Sequence, residues 1–290
     1  MAAVDTNRGA IQLPADVSTE IMQKTQGQSA VMQLARKIAL PGRGIAIPVI
    51  TGDPEAAWVA ETEEKPASKA TLATKLIQPY TLAVIVPFSN QFKRDLEALY
   101  EAIIERLPGV LAQKFDATVM GAASGKPGDN FDTFGAITAV DLKTNPYDAL
   151  VTAKTNIANA GGIMNGIALS PQGEGILLAA KDGNDRPLFI PDLSAAATGK
   201  LLGAATYTTK GAYVAGNPSG KNTVGVAGDW TQAVYGTVNG VEISISDQAS
   251  LTIGGQQINL WQRNMFAVRA EIEVGFRADT TAFNLLTATA

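Results

Sequence analysis

Few residues in this chain are placed where they could bind or transform a substrate. The segment from Gly216 to Thr223 resembles a phosphate-binding loop, because a glycine stands directly before Lys221. Such a loop requires four residues between its glycines and a Ser or Thr directly after the lysine. Here three residues separate the two glycines, and Asn222 follows the lysine. We therefore interpret the segment as a turn.

A second candidate is a pair of carboxylates near the carboxyl terminus. Glu271 and Glu273 are two residues apart in a predicted strand and therefore point to one face, where they could act in acid–base catalysis or bind a cation. Arg269 lies on that face as well and could form an ion pair with either glutamate. A solvated strand surface explains the same pattern, and we prefer that interpretation.

The chain contains neither cysteine nor histidine. These side chains supply most metal ligands, thiolate nucleophiles and general bases near neutral pH. Their absence excludes Ser-His-Asp and Cys-His hydrolases, structural zinc sites, iron–sulfur clusters, His-ligated haem and disulfide bonds. We expect the protein not to be an enzyme, and to have no catalytic residues, no metal site and no cofactor.

The charge pattern does not indicate a nucleic-acid groove or a membrane segment. The 290 residues include 23 Lys and Arg and 27 Asp and Glu, for a net charge of −4. The tryptophans Trp58, Trp230 and Trp261 are scattered and form no single stacking platform. Apolar runs such as Leu82–Val86 are far shorter than the roughly 20 residues that span a bilayer. We expect no sequence-specific nucleic-acid binding and no membrane association.

The amino-terminal part reads as an arm followed by a projecting hairpin. Residues 1–13 are polar and without pattern, and a short helix follows, ending near Gln26. Strands are predicted at 71–77 and 80–86, next to a polar segment whose charges interrupt any apolar face. This pattern indicates a long hairpin, with the strand from Tyr80 as its return strand; a surface loop is the alternative.

A long helix is predicted after the hairpin, with Ser89 or Asn90 as its N-cap and its end before Gly121. Pro108 should kink or break this helix, because proline removes a backbone donor. Its apolar residues recur at steps of three and four: Phe92, Leu96, Leu99, Ile103, Leu107, Val110, Leu111, Phe115 and Val119.

The remainder is predicted to mix helices and strands. In chain order we expect a helix from Pro146 to Ala160, a strand at 163–169, a helix at 172–180, a hairpin at 233–246, a long strand at 261–276 and a short strand at 282–287. The hairpin prediction rests on Asn239-Gly240, because these residues accept the positive φ angles of a type I′ turn.

Three stretches carry a resemblance, and together they span most of residues 50–290. They are Tyr80–Ser89 leading to Asp116–Gly121, then Gly228–Gln232 with Asn239-Gly240 and Ser246-Asp247, then Asn259–Glu271 with Gly275-Phe276 and Ala282-Phe283. In order and spacing they resemble the HK97-like major capsid proteins of tailed double-stranded DNA bacteriophages.

The resemblance implies an α+β, HK97-like capsid fold with an N-terminal arm, an extended β-hairpin loop, a peripheral domain with a long spine helix, and an inserted axial domain. The expected divisions are 1–51 for the arm and the start of the peripheral domain, 52–79 for the extended loop, 80–137 for the peripheral domain with the spine helix, 138–252 for the axial domain, and 253–290 for the carboxyl-terminal strands of the peripheral domain.

The resemblance also implies a structural subunit that assembles with itself. Copies would form hexamers and pentamers and close an icosahedral shell around double-stranded DNA, as part of a virion assembled in the host cytoplasm. A portal and a separate scaffolding protein are expected partners, and a decoration protein is a further candidate. Because Met1 lies close to the arm, without the long cleaved extension of some relatives before it, the expected scaffold is a separate protein, or there is none.

The arm and the hairpin contain little core of their own, so we expect them to bury apolar residues on neighbouring copies. The charged residues among them would set register more than affinity, although ordinary solubility explains their presence equally well. The candidate contact residues are Trp58, Glu61, Glu63, Glu64, Lys65, Lys69, Leu72, Leu76 and Ile77 in the hairpin, and Arg269 and Glu271 in the long strand.

Two alternatives stay open from the sequence. An encapsulin-like protein nanocompartment shell would have the same fold, and co-purification of a packaged enzyme in place of long DNA would identify it. A cofactor-dependent α/β enzyme would behave as a discrete oligomer of modest size in light scattering.

Overall fold

The computed structural model describes residues 15–52, 58–59, 65, 71–91, 96–122, 125–181, 184–186, 189, 199–216 and 221–289. The helices within these ranges are α1 (Ala15–Gln28), α2 (Ala30–Leu34), α3 (Leu96–Val119), α4 (Pro146–Asn159) and α5 (Pro171–Leu178). The strands are β1 (Arg36–Ala39), β2 (Ile45–Gly52), β3 (Thr71–Ile77), β4 (Tyr80–Ser89), β5 (Ala139–Asp141), β6 (Gly166–Leu169), β7 (Lys200–Leu201), β8 (Ala204–Thr208), β9 (Asn222–Gly228), β10 (Ala233–Thr237), β11 (Glu242–Ser246), β12 (Ser250–Ile253), β13 (Gln256–Asn259), β14 (Met265–Ala278) and β15 (Phe283–Ala288).

The first sheet is built around β14, a strand of 14 residues. One edge of β14 pairs antiparallel with β4, from Met265 opposite Ser89 to Val274 opposite Tyr80. The other edge pairs with β10 and then with β11, and β1 lies parallel to β10. The buried side chains of β14 face a core that includes α3, while polar residues occupy its outer face.

The prediction of a hairpin at 233–246 is wrong. Strands β10 and β11 do not pair with each other; both pair antiparallel with β14 and follow one another along its edge. Neither Asn239 nor Gly240 has the positive φ angle that a type I′ turn requires. That turn chemistry occurs instead at Gly254 and Gly255, with φ angles of 59° and 81°, which join β12 to β13.

The second sheet has six strands in the order β5-β15-β9-β6-β8-β7. A separate apolar cluster forms its core, with Leu150 and Ile157 of α4 and Leu177 of α5 buried against the strands. Strand pairing differs from the expected division of the chain at two places. Strands β10 and β11, expected in the axial domain, pair with β14, and β15, expected with the peripheral strands, pairs with β5 and β9 in the second sheet; the division into domains itself stays a prediction.

Strands β2 and β3 form a two-stranded antiparallel sheet, with Ile45 opposite Ile77 at its base and Gly52 opposite Thr71 at its far end. This corrects the return strand expected for the hairpin. The return strand is β3, whereas the strand that starts at Tyr80 enters the sheet of β14. The hairpin is therefore formed by β2, which precedes the expected loop at 52–79 and overlaps it only at Gly52, and by β3, which lies within that loop.

The long helix α3 runs continuously through Pro108, so the expected break does not occur. Leu107 and Leu111, which flank the proline, are both buried in the core and hold the helix on either side of it. Ser89, one of the two expected N-cap residues, is the last residue of β4, and the structure describes α3 from Leu96 onward. Among all the helices of the described residues, none is both long enough and apolar enough to cross a membrane.

Aromatic rings fill the centre of the core between α3 and the two sheets. Phe134 stacks on Phe283 at 4.6 Å between ring centroids, and Trp230 meets Phe283 edge-on at 5.3 Å. Phe276 of β14 contacts Phe134 at 5.7 Å. Edge-to-face and stacked pairs of this kind add to the free energy gained from burial, so this cluster joins the two sheets into one packed unit.

Candidate assembly interface

The guanidinium of Arg277 anchors the base of the β2–β3 hairpin. Its Nε donates to the Leu76 carbonyl, its Nη1 to Asp132 Oδ1 and its Nη2 to Asn130 Oδ1, each at 2.8 Å. The second Asp132 oxygen accepts from the Ala278 backbone N–H at 3.1 Å. Lysine could not reproduce this planar arrangement of donors. Sequence reasoning missed Arg277, because its position in the strand resembles that of a solvent-facing cation.

Ile77 corrects the set of expected contact residues. Its side chain is fully buried within its own chain, where a Cβ on Gly275 of β14 would lie 3.0 Å from Ile77 Cγ1. Gly44, at a φ of 78°, passes so close to the Ile77 carbonyl that a Cβ there would lie 2.3 Å from the oxygen. Ile77 is therefore part of the anchor of the hairpin and not of its exposed surface.

The described surface of the hairpin is partly apolar. Trp58 is fully exposed, Lys65 is exposed, and Leu76 and Ile45 are exposed to 37% and 42%. Leu72 lies in β3, paired with Ile50. The contact role of these residues stays a prediction. Of the remaining hairpin candidates, these lie outside the described residues: Glu61, Glu63, Glu64 and Lys69.

Arg269 and Glu271 lie together on the outer face of β14. Arg269 Nε is 3.0 Å from Glu271 Oε1 and also donates to Ser244 Oγ at 3.1 Å. Glu242 of β11 is directly opposite Glu271 in the sheet. Arg269 thus compensates one member of an acidic cross-strand pair, which is the ion pair that the sequence suggested. Whether these residues also contact a neighbouring copy stays a prediction.

A buried carboxylate attaches the arm helices to α3. Asp116 of α3 is fully buried, and its Oδ1 accepts from Ser29 Oγ at 2.5 Å and from the Val31 N–H at 3.4 Å. Its Oδ2 accepts from the Ala30 N–H at 3.0 Å. Ser29 is also the N-cap of α2, accepting from the Met32 N–H at 3.1 Å. One side chain of α3 therefore fixes the start of α2.

Burial raises the pKa of Asp116 from 3.8 to about 6, although hydrogen bonds from Ser29, Ala30, Thr209 and Val31 favour the ionised form. This carboxyl group therefore titrates near neutral pH. Sequence reasoning missed it. The signal that could have found it is an acidic residue directly after Phe115, on the apolar side of a long helix.

The grooves of the molecule offer little catalytic chemistry. A groove of 810 Å³ lies between the arm helices, α3 and β8, and its lining includes Gln33, Arg106, Gln113 and Lys210 but no carboxylate. Among the residues that the structure describes, no cluster of three or more acidic side chains is arranged to hold a metal ion.

Comparison with known proteins agrees with this geometry. The sequence model of the phage capsid family matches residues 9–287. The probable major capsid protein gp17 of Mycobacterium phage L5 is 33% identical over 279 residues, covering 89% of this chain and 84% of that protein. Its counterpart in Mycobacterium phage D29 is 30% identical over 285 residues, covering 95% of this chain and 89% of that protein.

Solved structures share the fold. A chain from Gordonia phage Cozz superposes with a TM-score of 0.69 at 21% identity, covering 91% of this chain and 87% of that one. The expected α+β, HK97-like fold is confirmed, and the matched ranges extend from the arm helices to the final strand. The chain therefore belongs to the phage capsid family.

Proposed function

We propose that this capsid protein is the major shell subunit of a tailed phage, and that its copies form hexamers and pentamers that close an icosahedral shell around double-stranded DNA. Its membership of the phage capsid family makes it a structural, self-associating component of the virion. The capsid relatives support the reading as the major subunit. The family also confirms that the protein is not an enzyme, and neither the nanocompartment nor the enzyme alternative is favoured.

The β2–β3 hairpin is the observation that carries the proposal. It is a sheet of only two strands, and such a sheet is marginally stable in water without further packing. Its described contacts with the rest of the chain are at its base, where Lys75 Nζ donates to the Ala278 carbonyl at 3.1 Å and Arg277 binds Leu76. The exposed side chain of Trp58 gains burial when a neighbouring copy covers it.

Electron microscopy of the purified chain tests the proposal directly. We expect closed particles with icosahedral symmetry. A variant in which Asn-Gly replaces residues 53–70 tests the role of the hairpin, because Gly52 and Thr71 are paired and a two-residue turn can join them. This variant should fold and leave the base intact but fail to form closed shells.

The controls separate folding from assembly. Thermal unfolding of the shortened variant should match that of the full chain in unassembled form, because the anchor at Arg277 and Ile77 is retained. Normal shells from the shortened variant would contradict the role of the hairpin. A full-length chain that remains monomeric at high concentration would contradict the proposed function itself.

A closed shell that contains DNA requires further proteins, which we infer as follows. DNA can enter only through an opening, so we infer a portal at one vertex. The same chain must occupy both pentamers and hexamers, so we infer a separate scaffolding protein that sets the size of the shell during assembly in the host cytoplasm. Mass spectrometry of immature particles tests both partners, and it would also identify a decoration protein on mature ones.

A further inference from the structure

A small aromatic cavity lies beside the base of the hairpin, between β4, α3 and the loop at 125–131. Its volume is 220 Å³, which is below the roughly 300–1,000 Å³ typical of small-molecule sites. The lining consists of Tyr80, Thr81, Leu82, Lys114, Phe115, Thr118, Gly125, Lys126, Pro127, Phe131 and Val274. The cavity is therefore of a size to accept one large side chain.

The walls of this cavity are held in place by their own contacts. Phe131 meets Tyr80 edge-on at 6.2 Å and Phe115 edge-on at 6.3 Å. The Tyr80 hydroxyl accepts from the Asn130 backbone N–H at 3.2 Å. Gly128 lies so close that a Cβ there would be 2.5 Å from the Tyr80 oxygen. A preformed aromatic pocket of this kind favours another aromatic side chain, which can make stacked or edge-on contacts.

The cavity also has a positive character. Lys114 and Lys126 are both part of its lining. Lys126 is 3.5 Å from Asp129, but the Asp129 side chain is fully exposed, and such surface ion pairs contribute little. An aromatic residue flanked by carboxylates would therefore complement the site in both shape and charge.

Trp58 has these properties. In the sequence, the segment 53–64 that contains it has no cation and five acidic residues: Asp53, Glu55, Glu61, Glu63 and Glu64. Trp58 is fully exposed, so it does not occupy the cavity of its own chain. The seven residues of β3 extend about 23 Å from Ile77, near Tyr80, to Thr71. The cavity is thus open to the Trp58 of another copy.

We propose that Trp58 of one subunit inserts into the cavity formed by Tyr80, Phe115 and Phe131 of a neighbouring subunit. The insertion buries the indole between aromatic rings and brings the acidic segment 53–64 to Lys114 and Lys126. It rests on the proposed function, because the two copies meet only in an assembled particle. It also identifies the surface of the neighbouring subunit that binds Trp58.

Tryptophan fluorescence tests the insertion. In a Trp261→Phe background, Trp58 and the buried Trp230 are the remaining tryptophans. Assembly into shells should shift the emission to shorter wavelength and protect Trp58 from acrylamide. Thr118→Phe, which fills the cavity without adding a tryptophan, should leave Trp58 accessible. Trp58→Ala should raise the subunit concentration needed for assembly by about tenfold or more, since buried tryptophans dominate many interfaces.

Cysteine cross-linking identifies the receptor independently. The chain has no cysteine, so Val59→Cys with Lys126→Cys introduces one pair, which a short bis-maleimide should join into ladders of linked subunits. The matched control pairs Val59→Cys with Lys210→Cys, which lines the groove at another face of α3.

Two results would overturn the insertion while leaving the proposed function intact. One is shells whose Trp58 is quenched as readily as in free subunits. The other is cross-linking through Lys210→Cys and not through Lys126→Cys. Failure of the Trp261→Phe parent and of the natural chain to form particles would contradict both proposals.

Discussion

The hydroxyl of Ser29 donates a hydrogen bond of 2.5 Å to the buried carboxylate of Asp116, 87 residues further along the chain. Ser29 caps α2 with the same hydroxyl, and the Ala30 N–H binds the other carboxylate oxygen at 3.0 Å. The orientation of the arm helices on α3 thus depends on one ionisable group. That group makes the stability of the subunit sensitive to pH.

The pKa of Asp116 is raised from 3.8 to about 6 in the folded chain. Between these values the folded state binds more protons than the unfolded state, so the stability contributed by this group falls as pH rises from about 4 to 6 and is constant above that. The shift of about two units corresponds to about 3 kcal/mol. Asp116→Asn should remove this dependence.

Urea unfolding of unassembled subunits at pH 4.5 and pH 7 measures the effect. As pH rises from 4.5 to 7, the natural chain should lose unfolding free energy relative to the Asp116→Asn variant. Asp141 and Asp229 have lowered pKa values, so the stability that they contribute is lost only as pH falls below about 4, outside this window. A difference that stays constant across the window would contradict the assignment.

Replacing Arg277 should loosen the base of the hairpin. Arg277→Ala leaves Asp132 without its cation and Leu76 without its donor, so we expect a loss of about 2–3 kcal/mol in unfolding free energy. Arg277→Lys should recover only part of it. The matched control is Arg269→Ala, whose exposed ion pair with Glu271 should change stability by less than about 1 kcal/mol. Equal effects at the two arginines would contradict the anchor.

Two glycines should respond oppositely to alanine. A Cβ on Gly228 would lie 2.1 Å from a ring carbon of Phe283, so Gly228→Ala forces the aromatic core apart and should cost about 2 kcal/mol or more. Gly175 lies in α5 with nothing within 4 Å of a Cβ, and Gly175→Ala should gain about 0.5–1 kcal/mol from helix propensity. Thermal unfolding of both variants measures the contrast, and a stable Gly228→Ala protein would contradict the packing described.

Lys221 should control the ionisation of Asp141. Burial alone would raise the pKa of Asp141, but hydrogen bonds from Lys221 and Thr289 lower it to about 2. Lys221 Nζ is 2.8 Å from Asp141 Oδ2. Lys221→Met should move this pKa up toward its ordinary value of 3.8, so the variant should be less stable than the natural chain above about pH 4, and the difference should disappear as pH falls from about 4 to 2. Carboxyl-carbon NMR of unassembled subunits follows the titration; an unchanged midpoint would show that the lysine is not the cause.

The long helix and the strand of β14 could be predicted from sequence because each buries a regular apolar face. Leu107, Leu111 and Phe115 recur at helical spacing and are all buried. The break expected at Pro108 does not occur, because packing on both sides of it outweighs the lost backbone hydrogen bond. The sequence pattern is therefore sufficient to predict an element whose own apolar residues recur at regular spacing.

Strand partners could not be predicted in the same way, because a partner is chosen by distant residues. Asn239-Gly240 suits a turn locally, yet β14 offers a continuous edge to β10 and β11, and the chain follows that edge. The anchor at Arg277 draws its partners from Leu76, Asn130 and Asp132, which lie in other elements. Such residues become recognisable only when the fold has brought their partners together.

Strand β14 has a mechanical consequence for the subunit. It is bonded along both edges, and its end at Arg277 and Ala278 holds the hairpin. A pull on the hairpin therefore acts on a strand that backbone hydrogen bonds hold along both of its edges. In the shell proposed above, a load on the hairpin from a neighbouring copy would pass into this strand and from there into the whole sheet.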